Sequence, residues 1–205
     1  MRLVLLSLAL LALAAPLSAQ DNERPANWKV RFDRPASDSD LYFVDMPPGW
    51  HITTGPACIL YNPAHTVSGS YRVDAKIFLF PGDRQEAFGV FIAGENLEDE
   101  NQSYLYFLIR KDGRYLVKQR TGNETHDFIQ WTENSYIVPH TGGEEPVENV
   151  LSIEVSEAEI LFLINGGNVM SFDRARVKAE GIVGLRVNHG LNLHVSEFNV
   201  ETLDD

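Results

Sequence analysis

The sequence predicts an all-β fold, two antiparallel sheets packed face to face as a sandwich. Three observations carry that expectation. Beyond residue 20 almost no stretch repeats with the helical period. Short apolar/polar alternations recur instead, separated by Gly, Pro, Asn and Asp. These runs are too many to lie in one sheet, so two layers must share a core.

Taken in chain order, the expected strands are Trp28–Phe32, Leu41–Asp45, His51–Thr53, Cys58–Tyr61, Gly69–Phe80, Ala87–Ala93 and Tyr104–Arg110. Tyr115–Arg120, Phe128–Trp131, Val150–Val155, Ile160–Ile164, Val169–Phe172, Ile182–Val187 and Asn192–Val200 follow. The longest shows the period most plainly. Tyr71, Val73, Ala75, Ile77 and Leu79 fall on one face, and Arg72, Asp74 and Lys76 on the other. Two turns read as hairpins, Lys111-Asp112-Gly113-Arg114 and Asn165-Gly166-Gly167-Asn168, because glycine supplies the positive φ they need. One or two helical turns are expected at Asp173–Ala179, and surface loops at 20–27, Pro35–Asp40 and Thr141–Glu148.

The N-terminus has the layout of a secretory signal. Arg2 precedes an apolar run from Leu3 to Ala15, Pro16 breaks it, and Leu17-Ser18-Ala19-Gln20 offers small residues for cleavage. Residues 1–19 are therefore expected to be removed, leaving one sandwich domain over 20–205, secreted or periplasmic. The apolar run falls short of the about 20 residues a spanning helix needs, so no stable membrane insertion is expected. The net charge of −12 disfavours nucleic acid, since no basic excess exists to displace counterions. Cys58 is the single cysteine, so no internal disulfide can form. It lies in the apolar run Ala57–Tyr61 and reads as a small buried hydrophobe.

The first hairpin supplies the ligand face. A three-residue loop with Gly113 in the left-handed region sets Arg110 opposite Arg114. Leu105, Phe107 and Ile109 then share a core side with Tyr115 and Val117. A two-residue turn would instead place Lys118 and Arg120 beneath the core with Phe107, burying charge. The favoured register gathers Tyr104, Tyr106, Arg110, Lys118 and Arg120 on the outer side. There they are expected to form one accessible patch on a concave sheet, the tyrosines stacking on sugar rings and the arginines forking onto hydroxyls or a carboxylate. Replacing Tyr106 by alanine is expected to cost little stability. The bland alternative is an ordinary solvated sheet with cross-strand Tyr–Lys pairs.

Several pieces in their order carry a resemblance: Pro48-Gly49-Trp50, the strand at Gly69–Phe80, Gly89-Val90-Phe91-Ile92, Tyr104–Gly113, Ile164-Asn165-Gly166, and Gly181-Ile182-Val183-Gly184-Leu185 leading into Val195–Val200. The chain resembles the concanavalin-like jelly rolls of the laminin-G type, nearest the bacterial 3-keto-disaccharide hydrolase-like domain family. The resemblance covers most of 28–201 and implies a sandwich whose concave sheet often binds glycans. Fold alone does not transfer function. The chain departs from the retaining β-glucanases of that fold, which resemble one another in a Glu-x-Asp-x-x-Glu strand. That alternation sets nucleophile and acid about 5–5.5 Å apart, and no such spacing occurs here.

No catalytic residues emerge elsewhere. His51, His65, His126, His140, His189 and His194 are scattered, without a His-x-His or His-Glu-x-x-His pair, so no metal centre is expected. His194 reads as part of a solvated strand face with Asn192 and Ser196. No cofactor is expected. The one alternative is structural calcium at Glu95, Glu98, Asp99 and Glu100, whose bland reading is a solvated turn. The first expectation for function is an exported, non-catalytic domain binding a saccharide or cell-envelope glycan. The second is a glycosidase or lyase acting on an oxidised, 3-keto disaccharide. The third is a structural accessory domain.

Overall fold

A computed structural model describes residues 24–203; the expected signal segment lies outside them. The described residues form fourteen strands: β1 (Lys29–Phe32), β2 (Leu41–Asp45), β3 (Trp50–Thr54), β4 (Cys58–Val67), β5 (Tyr71–Leu79), β6 (Ala87–Glu95) and β7 (Ser103–Arg110), then β8 (Arg114–Thr121), β9 (Glu124–Glu133), β10 (Val147–Val155), β11 (Glu159–Ile164), β12 (Gly167–Asp173), β13 (Gly181–Val187) and β14 (Asn192–Thr202). They build two seven-stranded antiparallel sheets, ordered β1-β4-β13-β6-β7-β8-β9 and β12-β11-β10-β5-β14-β3-β2. The all-β sandwich predicted from alternation is the observed architecture. The helical turns expected at Asp173–Ala179 shrink to one 3₁₀ turn, Arg174–Arg176, capped by the Asp173 carboxylate.

The main core lies between the sheets. Tyr71, Val73, Ala75 and Ile77 of β5 meet Val90, Leu105, Phe107 and Val117 of the facing sheet, all essentially without solvent exposure. Cys58 lies in this core, and burial pushes its thiol up to about 12, which suits an inert apolar filler. Both expected hairpins form, the first in the predicted register. Arg110 pairs with Arg114 around Gly113 at φ 82°, and Ile164 pairs with Gly167 around Asn165 and Gly166 at φ 50° and 80°. On β14 the alternation predicted through Ser196 breaks there, because a bulge shifts the register between Val195 and Glu197.

The first sheet also buries its other face. Ile59, Tyr61, Phe91, Leu97, Tyr104, Tyr106, Leu108 and Leu116 form a second apolar cluster outside the sandwich core. What covers part of it is the β6–β7 connection. A register shift between Ile92 and Glu95, with Ala93 and Asn96 at positive φ, turns the chain back over the sheet. Leu97 then sits on the cluster at 3 % exposure. The Arg31 guanidinium donates to the Leu97 carbonyl (2.9 Å) and Lys29 pairs with Glu98, so β1 ties this flap down.

Gly184 of β13 gives the Phe91 ring its place in the cluster. A Cβ there would fall 2.4 Å from the Leu60 carbonyl oxygen and 2.6 Å from Phe91 Cε1. Gly184→Ala is therefore expected to destabilise the fold by about 1–3 kcal/mol through overpacking. In urea titration this reads as a lower midpoint with an unchanged slope.

Candidate functional site: a groove on the first sheet

The outer face of the first sheet is concave. Asp33 prolongs β1, its N–H bonding the Ala57 carbonyl at 2.9 Å. Arg120 lies on β8, five strands away in sheet order. A flat sheet would hold those strands roughly 24 Å apart, yet the Arg120 guanidinium is 3.6 Å from the Asp33 carboxylate. The sheet therefore curls, and side chains from both flanks meet above its middle.

Arg186 of β13 occupies that meeting point at 6 % exposure. Val183, Leu185 and Val187 of the same strand face the core, so alternation sends Arg186 outward. Its two terminal nitrogens fork onto Asp33 at 3.0 and 2.6 Å, and Nη1 also donates to the Tyr104 hydroxyl at 3.0 Å. Burial alone would raise the Asp33 carboxyl, but the hydrogen bond and charge of Arg186, with Arg120, outweigh it and hold the group below its ordinary value. Burial in turn raises the hydroxyls of Tyr104 and Tyr106 against the opposing charge of Arg186, so both stay neutral.

Between this ion pair and the end of the sheet lies a groove of about 310 Å³. Ala87, Leu108 and Leu116 line it with Tyr106 and Trp131, and Glu86, Arg110, Lys118, Arg186 and Asn188 supply its polar groups. Arg110 lies over the Trp131 ring, 4.4 Å from its centroid, while its edge forks onto Asp112. Arg186 lies 5.2 Å from the Tyr106 centroid. Lys118 pairs with Asp127 at 2.9 Å. Each cation in the groove wall thus has a carboxylate beside it, and charge is balanced locally.

The five residues predicted to form the patch do share this face, but not as one accessible surface. Tyr106, Arg110 and Lys118 line the groove. Tyr104 is fully buried, packed on Phe91 and under the flap. Arg120 is turned from the groove, bonding the Gly122 carbonyl at 3.0 Å and approaching Asp33. Nor is Tyr106 a free stacking plate. It is 7 % exposed beneath Arg186, so the expectation that its loss costs little stability does not hold. The physical reason is the second core: a sheet face assumed to be solvated is half covered by the Leu97 flap.

Sequence reasoning missed Trp131, Arg186 and Asp33. Simple alternation from Ile129, which packs against the main core, would aim Trp131 inward too. The β8–β9 bulge reverses it. Arg186 was legible in the alternation of Gly181–Val187, whereas Asp33 is recruited over a long sequence distance. The acidic residues considered for calcium diverge: Glu95 pairs with Lys178 and Glu98 with Lys29. Among the described residues no three His, Cys, Asp or Glu side chains converge as metal ligands. His194 sits opposite His51 on the outer face of the second sheet, with ring centroids 6.3 Å apart.

No protein-family model matches the chain, and no curated protein matches it. Solved structures do match its fold. The carbohydrate binding module CBM66 from Bacillus subtilis is 11% identical, with a TM-score of 0.63 over 86% of this chain and 96% of that one. A Bacteroides ovatus mixed linkage glucan GH16, in complex with a G4G4G3G product, is 8% identical with a TM-score of 0.61, covering 88% of this chain and 97% of that one. A Bacillus subtilis protein of unknown function with a galectin-like fold is 11% identical, with a TM-score of 0.62, over 86% and 89%. At such identities the likeness establishes a shared galectin-like, concanavalin-like jelly roll and nothing finer. These likenesses do not show the 3-keto-disaccharide hydrolase-like family.

Proposed function

We propose that this chain is an exported, non-catalytic saccharide-binding domain whose site is the groove over Tyr106 and Trp131. One observation carries the reading: ion-paired donors and acceptors stand against apolar ring surface in a preformed concave groove. Sugar hydroxyls both donate and accept, and their C–H faces need apolar contact, so such walls suit them. A paired guanidinium also keeps its geometry without a ligand, which lowers the ordering cost of binding. Jelly rolls of the same architecture include a carbohydrate binding module and a glucan hydrolase complex, which supports the class of ligand. The export half of the reading rests on the leader pattern of residues 1–19.

Glycosidase chemistry in this groove has less support. It calls for two carboxyl groups flanking the scissile bond, about 5–9.5 Å apart. Among the described groove-lining residues Glu86 is the sole carboxylate, and His189 stands 3.9 Å from it.

A glycan array followed by calorimetry tests the proposal. Trp131→Ala should weaken binding about tenfold or more, close to 1.4 kcal/mol per tenfold, because it removes ring surface and the support under Arg110. Arg110→Ala should cost about 1–3 kcal/mol of affinity by leaving hydroxyl partners unmatched. Wild-type affinity in both variants would move the site elsewhere.

A further inference from the structure

Two openings meet at the rim of the first sheet. The groove is shut toward the β6–β7 connection, where Leu97 covers Phe91 and Tyr104 and the Arg186–Asp33 pair stands across the face. In the other direction it runs to the strand ends at Gln85, Glu86 and Asn188. There Gln85 lines both the groove and a larger cleft of about 660 Å³ at the end of the sandwich. The Arg110–Asp112 ion pair forms the sill between them, with Arg110 in the groove wall and Asp112 in the cleft wall.

The cleft is built rather than incidental. Its walls come from the β5–β6 connection, the β7–β8 turn and the connection between β9 and β10. These are tied together: Lys111 Nζ donates to the Gly82 carbonyl at 2.7 Å, and the His140 N–H donates to the Lys111 carbonyl at 2.9 Å. Asp83, Gln85, Asp112 and Thr141 give the walls both donors and acceptors. At the floor the His140 ring is 8 % exposed. Its Nδ1 accepts from the Gly142 N–H at 3.4 Å, which leaves Nε2 as a donor with no protein partner.

We infer that the groove takes one end of a saccharide chain and that the following units leave over Gln85 and the Arg110–Asp112 sill into the cleft. This rests on the saccharide reading above and adds its mode: a chain end in the blind groove, the body of the chain in the cleft. Affinity then depends on chain length and on which end is free.

Ladders of gluco-, xylo-, manno-, galacto- and fructo-oligosaccharides, from disaccharide to octasaccharide, test it by calorimetry on the mature chain. The expected result is a rise of about tenfold in affinity from disaccharide to pentasaccharide in at least one ladder. Thr141→Trp, an exposed loop substitution that fills the cleft, should return long oligomers to the disaccharide value and leave the disaccharide and the melting curve unchanged. A bulky aminobenzamide cap on one chain end should abolish binding, and on the other end should not. Equal affinity for short and long oligomers, full retention in Thr141→Trp, or tolerance of caps at both ends would overturn the inference while leaving saccharide binding intact. If no ladder binds at millimolar concentration, the saccharide reading itself falls.

Discussion

Asp33→Ala is expected to destabilise the domain by about 3–5 kcal/mol, the cost of leaving a buried charge without its partner. The Arg186 guanidinium is held at 6 % exposure and both its terminal nitrogens bond Asp33. Without the carboxylate its one remaining hydrogen-bond partner among the described residues is the Tyr104 hydroxyl. For a domain of this size each kcal/mol lowers the melting temperature by about 2–4 °C, so the loss is easily read by calorimetry. Asp33→Leu combined with Arg186→Met should recover most of it, since an apolar pair of similar volume avoids the desolvation. The pH dependence has a definite sign. The folded Asp33 carboxyl lies below its ordinary value of about 3.9, so its contribution is present above about pH 4 and lost as pH falls through the folded value. Wild type should therefore lose more stability on acidification than Asp33→Asn does. An Asp33→Ala protein that melts like wild type would mean the ion pair does not hold the curled face.

Phe107→Ala is expected to cost a comparable 3–5 kcal/mol or so, here through a cavity. The ring is fully buried and edge-on to Phe162 of the opposite sheet at 5.3 Å. Phe162 packs on Phe172 at 5.3 Å, and Phe172 stacks on Phe128 at 5.0 Å, back in the first sheet. This aromatic chain crosses the sandwich twice, so removing Phe107 loosens the seam between sheets. Phe107 points away from the groove, opposite Val117 on the core side. Ligand affinity should consequently survive in whatever fraction stays folded. A melting point within a degree or so of wild type would show that the core collapses around the gap.

The architecture was written in local sequence, because strand faces and turns depend on neighbours two to four residues apart. The β7–β8 register followed from Gly113 and from the cost of burying Lys118 and Arg120. The site was legible only in part. Tyr106, Arg110 and Lys118 reach the groove because they share the outward parity of their hairpin. Tyr104 has the same parity and is covered, since a flap closing over a sheet is a tertiary event that strand alternation does not encode. Trp131 was hidden by a bulge, which changes parity at a place marked by no Gly or Pro. Asp33 was hidden by distance: nothing near it in sequence announces Arg186 as its partner.

That distance bears on how the molecule comes into being. Asp33 and Arg186 are 153 positions apart, and β13 inserts between β4 and β6 to join the halves of the first sheet. As the chain leaves the ribosome, β1 with β4 and the run of hairpins from β6 to β9 can each pair as they appear, but the two parts must wait for β13 to join them. Closing so long a loop is slow relative to local pairing. Until it happens β4 and β6 are open strand edges carrying Tyr61 and Phe91. The Arg186–Asp33 wall of the groove is thus among the last parts to mature, and the stage just before it is the one most exposed to aggregation.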